Sequence, residues 1–391
     1  MRIAVAAQEY PPAGGGISTQ SAAKAAGLAA LGHEVHVVTH SRDGARSEEV
    51  RDGVHLIRIP GAAPGTPVET EAGRWLAYSA ALAAELTALR DGAGLDVVDL
   101  PDYGAEGYVH LANRTPWRGV PTVVQLHGPL AMLARTVGWP EPGSPLHEVG
   151  IAMERACVRL ADRVYASSAC AARWSRRCYG APAAAVPTLH MGVDPDAFRP
   201  AARPGHGVVS VGRLAASKGV FDLLDAVLAI RPRFPDLRLT LVGAAEPGAL
   251  DRLTARAAAA GAPDVLDVRG PLPQAALPAV LAGAAVFALP SHYEAGPGLA
   301  YLEAMACGLP VVATAAGGAV EVVHDGATGT VVPPRAPAAL AGALAALLGD
   351  PGSARAMGRR GRDFVTRYAD RRRCLRRLER LLWEVVEAHG R

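Results

Sequence analysis

Short apolar runs alternate along this chain with stretches whose apolar residues recur every three or four positions. Residues 2–7 read as a buried strand, 8–16 as a loop holding Pro11, Pro12 and three successive glycines, and 17–31 as a helix stopped by Gly32. Further strands are expected at 35–40, 54–59, 96–100, 121–126 and 164–166, with helices at 72–89, 145–161 and 169–179. A strand candidate at 184–189 closes this half. The segment 199–207, rich in Pro, Ala and Gly, reads as a linker. The pattern then restarts with strands at 208–211, 237–242, 265–269, 285–289 and 311–314. Helices are expected after Gly219, over 299–306, near 337–348 and 353–367, and from 370 onward. Strand, loop, helix, strand in repetition is the signature of parallel α/β sheets. The expected organisation is an N-terminal domain at 1–200, a C-terminal domain at 201–369 and a closing helix at 370–391.

Composition changes this picture little. A chain of 391 residues suits two or three domains, and either half can bury a core. A net charge of +3 gives no reason to expect nucleic acid. The five cysteines are scattered without a Cys-x-x-Cys pair, which suits reduced thiols in a cytoplasmic protein. Neither a signal peptide nor an apolar stretch long enough to span a bilayer is expected. The last helix is amphipathic, with Arg371, Arg372, Arg373, Arg376, Arg377 and Arg380 opposite Leu375, Leu378, Leu381, Leu382 and Val385. A solvated basic face is favoured there over a membrane-binding one.

The candidate chemistry gathers at strand ends. The apolar run 285–289 leads through Pro290 into a loop with Gly296, Pro297 and Gly298, then into a helix ended by Gly308. Such a helix start offers free amides and a partial positive charge to an anion. Glu294 precedes it and Glu303 lies inside it. Acids near a helix start often only complement the dipole. Together with an anion-receiving loop they suit a ligand bearing phosphates and hydroxyls, such as a nucleotide-sugar. Arg213 ends one strand and Lys218 precedes the next helix, so two cations could meet one diphosphate. Asp102, Tyr103 and His127 also follow strands, where ligands gather in open α/β sheets. Gly14, Gly15 and Gly16 lack the G-x-G-x-x-G spacing of dinucleotide folds, which argues against a dehydrogenase.

These segments resemble the retaining glycosyltransferases of family four, which have the GT-B fold. The resemblance rests on Glu303-Ala304-Met305-Ala306-Cys307-Gly308, on Gly212-Arg213-Leu214 with Lys218-Gly219, on Gly32-His33-Glu34-Val35, on Gly192-Val193-Asp194, and on the run from Gly317-Gly318 to Gly329. Two departures stand out. Eight residues separate Glu294 from Glu303 where the family has seven, and Met191 stands where the family has Asn. The resemblance implies two doubly wound Rossmann-like domains facing a central cleft. It implies that a nucleoside-diphosphate sugar, with UDP or GDP, gives its sugar to an acceptor hydroxyl with retention. Arg213 and Lys218 would bind the diphosphate, and Glu303 the ribose. Gly15, Gly16, Gly298 and Leu299 would approach the donor, and the turn at Gly270 and Leu272 would hold the base. His127 and Glu294 would contact the donor sugar, and Asp102 and Tyr103 lie toward the acceptor by position. No metal or other cofactor is expected. The acceptor expected is a small molecule or glycan. A nucleotide-sugar epimerase of the same fold and a non-catalytic sugar-nucleotide-binding scaffold are the other readings.

Overall fold

The computed structural model describes residues 1–12, 15–115, 119–180, 186–202 and 205–389. Gly14, part of the expected strand at 184–189 and two positions of the expected linker lie outside them. The chain divides into two compact units, Met1–Met191 with Cys374–Arg391, and Gly192–Arg373. The first division thus falls at 191/192, ahead of the Pro-rich segment, and the second inside the last helix.

The first unit runs β1 (Arg2–Ala6), α1 (Gly16–Ala30), β2 (Glu34–His40), β3 (Ser47–Arg51), β4 (Val54–Ile59), α2 (Glu71–Gly92), β5 (Val97–Pro101), α3 (Tyr108–Ala112), β6 (Thr122–Leu126), α4 (Leu130–Thr136), α5 (Ile151–Leu160), β7 (Arg163–Ala166) and α6 (Ala169–Tyr179). Its seven-stranded sheet has the order β3-β4-β2-β1-β5-β6-β7. Every pairing is parallel except β3 with β4. β1 and β5 are central, so both faces are covered and their sequences are apolar apart from Arg2 at the start of β1 and Asp99 within β5. The edge strand β3, Ser-Glu-Glu-Val-Arg, has every side chain exposed. Backbone pairing and the Arg58–Glu49 ion pair hold it, with no apolar contact, which is why no hydrophobic alternation announces it. The strand expected at 184–189 reduces, among the described residues, to a single bridge between Thr188 and Ala166.

The second unit runs β8 (Val208–Val211), α7 (Val220–Ile230), β9 (Leu239–Val242), α8 (Ala249–Ala259), β10 (Leu266–Gly270), α9 (Leu277–Ala282), β11 (Val286–Ala288), α10 (Leu299–Ala306), β12 (Val311–Thr314), β13 (Thr330–Val332), α11 (Pro337–Gly349) and α12 (Pro351–Tyr368). Its six strands are all parallel, in the order β10-β9-β8-β11-β12-β13. The order reverses on either side of β8, so the ends of β8 and β11 form a topological switch point. α3, α4, α8 and α9 are not among the expected elements. α3 and α9 are barely more than a turn long, and the buried face of α8 carries only Ala249, Leu253 and Ala257, small residues but for one leucine.

The final helix, α13 (Arg371–His389), returns to the first unit. Leu375, Leu378, Leu381, Leu382 and Val385 join the core built on Ile3, Val5, Leu28 and Val37. His33 Nε2 lies 2.9 Å from Glu379 Oε1 and fastens the same face.

Candidate functional site

In the second unit, chain closure at the switch point depends on glycine. A Cβ on Gly219 would lie 2.0 Å from the Pro290 carbonyl oxygen, so the turn before α7 packs directly on the exit of β11. His292 N donates to Ser217 O at 2.8 Å, and the His292 ring lies 2.9 Å from Asp222. This zipping brings Lys218 to Glu294: the ammonium donates to Oε1 at 2.5 Å. The Ser291 hydroxyl donates to the same oxygen at 2.6 Å. Oε2 makes no hydrogen bond among the described residues. Glu294 is held from the other side as well. Its amide donates to Ala316 O, and its carbonyl accepts from Gly318 N at 2.7 Å. A Cβ on Gly317 would lie 1.9 Å from that carbonyl oxygen. Between the pinned Glu294 and Glu303 in α10 runs the turn at 295–298. Gly298 adopts φ 75°, and Tyr301 packs where its side chain would be.

Glu303 is almost wholly buried and accepts a hydrogen bond from the Gln274 side-chain amide. Burial pushes its pKa up to about 7, against the pull of that amide and of Arg371. Gln274 follows the turn from β10 that contains Gly270 and Leu272. Gly270, at φ 63°, gives its carbonyl to Gly243 N. Arg213 is not drawn into the lysine–glutamate pair. It is exposed, and its nearest carboxylate is Glu246 at 3.7 Å. Leu299 and Ala300 begin α10, so their amides have no carbonyl within the helix.

In the first unit, Asp102 and His127 follow β5 and β6 directly. Asp102 was expected toward the acceptor by position; its carboxylate is turned inward onto backbone amides. It is fully buried, and its carboxylate accepts from the amides of Tyr103 and His127 at 2.8 Å and of Gly128 at 3.4 Å. It is a fastener for the two strand ends. Burial raises its pKa to about 6 despite the three amides. Tyr103 stacks edge-on to Trp75 and tilts against Trp139. His127 is half-buried, with no side-chain hydrogen bond among the described residues. Burial and the Lys24 charge lower its pKa to about 3, so the ring is neutral and offers one donor and one acceptor. Gly15 has φ 130°, and a Cβ there would meet Glu9 at 3.1 Å; Gly16 faces open space.

Beneath these strand ends lies a polar network absent from the sequence reading. Lys24, on the inner face of α1, donates to Asp99 Oδ2 and Gln125 Oε1, both at 2.9 Å. Tyr165 donates to Asp99 at 2.8 Å. A lysine at helical spacing from Ser21 and Leu28, and an aspartate inside an apolar strand, were the available signals. Among the described residues no three His, Cys, Asp or Glu side chains gather as a metal site.

A sequence profile described as Glycosyltransferase Family 4 matches residues 14–197, and one described as Glycosyl transferases group 1 matches residues 203–364. GDP-mannose-dependent alpha-(1-6)-phosphatidylinositol monomannoside mannosyltransferase of Mycolicibacterium smegmatis is 37% identical over 64% of this chain and 71% of its own length. D-inositol 3-phosphate glycosyltransferase 2 of Catenulispora acidiphila is 32% identical over 87% of this chain and 83% of its own. Among solved structures, sucrose-phosphate synthase from Thermosynechococcus elongatus shares the fold with a TM-score of 0.81, over 99% of both chains at 23% identity.

Proposed function

Because the chain belongs to glycosyltransferase family 4 and has the GT-B fold, we propose that it moves a hexosyl residue from a UDP- or GDP-sugar to an acceptor hydroxyl with retention of configuration. The observation that carries this reading is the Glu294 carboxylate. One oxygen is held by Lys218 and Ser291, and the other is left open. The open oxygen accepts a hydroxyl of the donor sugar. Lys218, with two further N–H groups, serves the diphosphate beside it. Negative charge grows on the leaving diphosphate as the glycosidic bond breaks. Lys218, Arg213 and the first amides of α10 are the groups assigned to stabilise it. The acceptor proton passes to the departing phosphate oxygen, so no protein base is required. Glu303 takes the ribose hydroxyls, and neutral His127 donates to the donor sugar. The name of the mycolicibacterial relative favours GDP-mannose among the donors to try first.

The test incubates the protein with GDP-mannose, UDP-glucose and UDP-N-acetylglucosamine and a panel of polyol and glycoside acceptors. Acceptor-dependent release of the nucleoside diphosphate is expected, with an α-linked product by proton NMR. A β-linked product overturns retention. Interconversion of the free sugar nucleotide without acceptor makes the protein an epimerase. Tight nucleotide binding without turnover across the panel favours the scaffold.

A further inference from the structure

α13 has two unlike faces. The inner one buries Cys374, Leu375, Leu378, Leu381, Leu382 and Val385. The outer one exposes Arg373, Arg376, Arg377 and Arg380, followed by Trp383, which is 42% exposed. At helical pitch these five side chains share an arc of roughly 120°. Arg376, Arg377 and Arg380 have no ion pair or hydrogen bond among the described residues. Arg373 uses its guanidinium on the Arg367 carbonyl. Elsewhere some arginines have carboxylate partners, as Arg46 with Glu85 and Arg256 with Asp225, while exposed Arg42, Arg155 and Arg159, like those of the stripe, have no ion pair among the described residues.

Helix stability does not account for this stripe. The arginines occupy the first half of α13, where the helix dipole disfavours cations; the acid at that end is Asp370, whose carboxylate accepts from Arg373 N at 3.0 Å. Arg373 with Arg377, and Arg376 with Arg380, are like charges at i,i+4, which repel. Glu384 and Glu387 lie on the same arc one and two turns beyond Arg380, so the stripe is cationic over its first half and acidic at its end. Keeping an outer face wet needs polar residues, not a run of cations at the wrong end. The sequence reading of a merely solvated face therefore leaves the stripe unexplained. An anionic surface relieves both conflicts at once. A tryptophan at the end of a cationic stripe is the composition of a headgroup contact. No described helix is long and apolar enough to cross a membrane.

We propose that the arginine stripe of α13 binds the surface of a bilayer containing anionic lipid, with Trp383 entering the headgroup layer. This does not depend on the donor or acceptor. The full chain is sedimented with vesicles of phosphatidylcholine alone or mixed with phosphatidylglycerol, at low and high salt. It is expected to pellet only with the anionic vesicles and to be released by salt. R376E/R377E/R380E lowers partitioning at least about tenfold, with an unchanged thermal midpoint because these side chains are exposed. Trp383→Ala gives a smaller loss. Should the charge reversal misfold, R376Q/R377Q/R380Q must also reduce pelleting. Failure of the wild type to pellet, equal pelleting with neutral vesicles, or undiminished pelleting of the variants overturns the proposal. Release from vesicles by a single-stranded oligonucleotide at lower concentration than by soluble phosphatidylglycerol would make nucleic acid the partner and overturn it too.

Discussion

Lys218 and Glu294 are 76 positions apart in the chain, yet the ammonium lies 2.5 Å from the carboxylate. In the proposed donor site the cation and the anion thus hold each other before any donor arrives. The two halves of the pair are expected to fail differently. Lys218→Ala removes a charge-assisted hydrogen bond worth about 1.5–3 kcal/mol, so nucleoside diphosphate binding should weaken roughly 10–100-fold by calorimetry. Glu294→Gln keeps the shape and frees the lysine. It should leave nucleotide affinity equal or higher while transfer falls by about 10²–10³-fold, the scale of removing one preorganised transition-state contact. Equal loss of nucleotide affinity in both variants would refute separate roles.

Glu303 gives a pH signature. Burial holds its pKa near 7, and in the proposed role, accepting two ribose hydroxyls, the carboxylate acts ionised. Binding therefore competes with protonation. Affinity for the nucleoside diphosphate should be flat above about pH 8 and should fall toward tenfold per unit well below pH 7. Glu303→Gln should bind weakly at every pH with this slope removed. Calorimetric titrations across the range check it, with buffers chosen to reveal proton release.

The Lys24–Asp99 pair is a stability prediction. Both side chains are almost fully buried. Lys24→Met strands the aspartate, and removing one partner of a buried pair costs about 3–5 kcal/mol. Adding Asp99→Leu should recover most of that loss. Chemical denaturation of the single and double variants measures the difference. Additive losses would show that the network, rather than the pair, sets the stability.

Asp102→Ala should act through the strand ends. It leaves the amides of Tyr103, His127 and Gly128 without their acceptor, at a cost of about 2–4 kcal/mol. Asp102→Asn, which keeps one accepting oxygen, should recover part of it. Thermal unfolding reads both. A variant as stable as wild type would return Asp102 to the acceptor role expected from sequence.

Strand ends were legible because apolar runs stop where the chain leaves the sheet. Lys218, Glu294 and His127 could therefore be placed at strand exits or just beyond them, and Glu303 inside its helix, from periodicity and family resemblance. Contacts across strand order were not. Gln274 reaches Glu303, and Lys24 reaches Asp99 and Gln125, only because particular helices lie over particular strands. The inward turn of Asp102 was hidden for another reason. A carboxylate after a strand looks the same in sequence whether it meets solvent or three backbone amides. The edge strand β3 had no apolar signal to read.

The return of α13 to the first unit has a consequence for synthesis on the ribosome. Leu375 to Val385 complete a core begun by Ile3 and Val5, yet they are translated only after the whole of the second unit. The whole of Gly192–Arg373 must be made in between, roughly 10–40 s at about 5–20 residues per second. During that interval the apolar groove that will receive α13 stands open on a nascent chain. The second unit, whose sequence is continuous, can finish folding before the first. Any nonsense mutation or late cleavage removing the last eighteen residues would injure the half of the protein farthest from it in sequence.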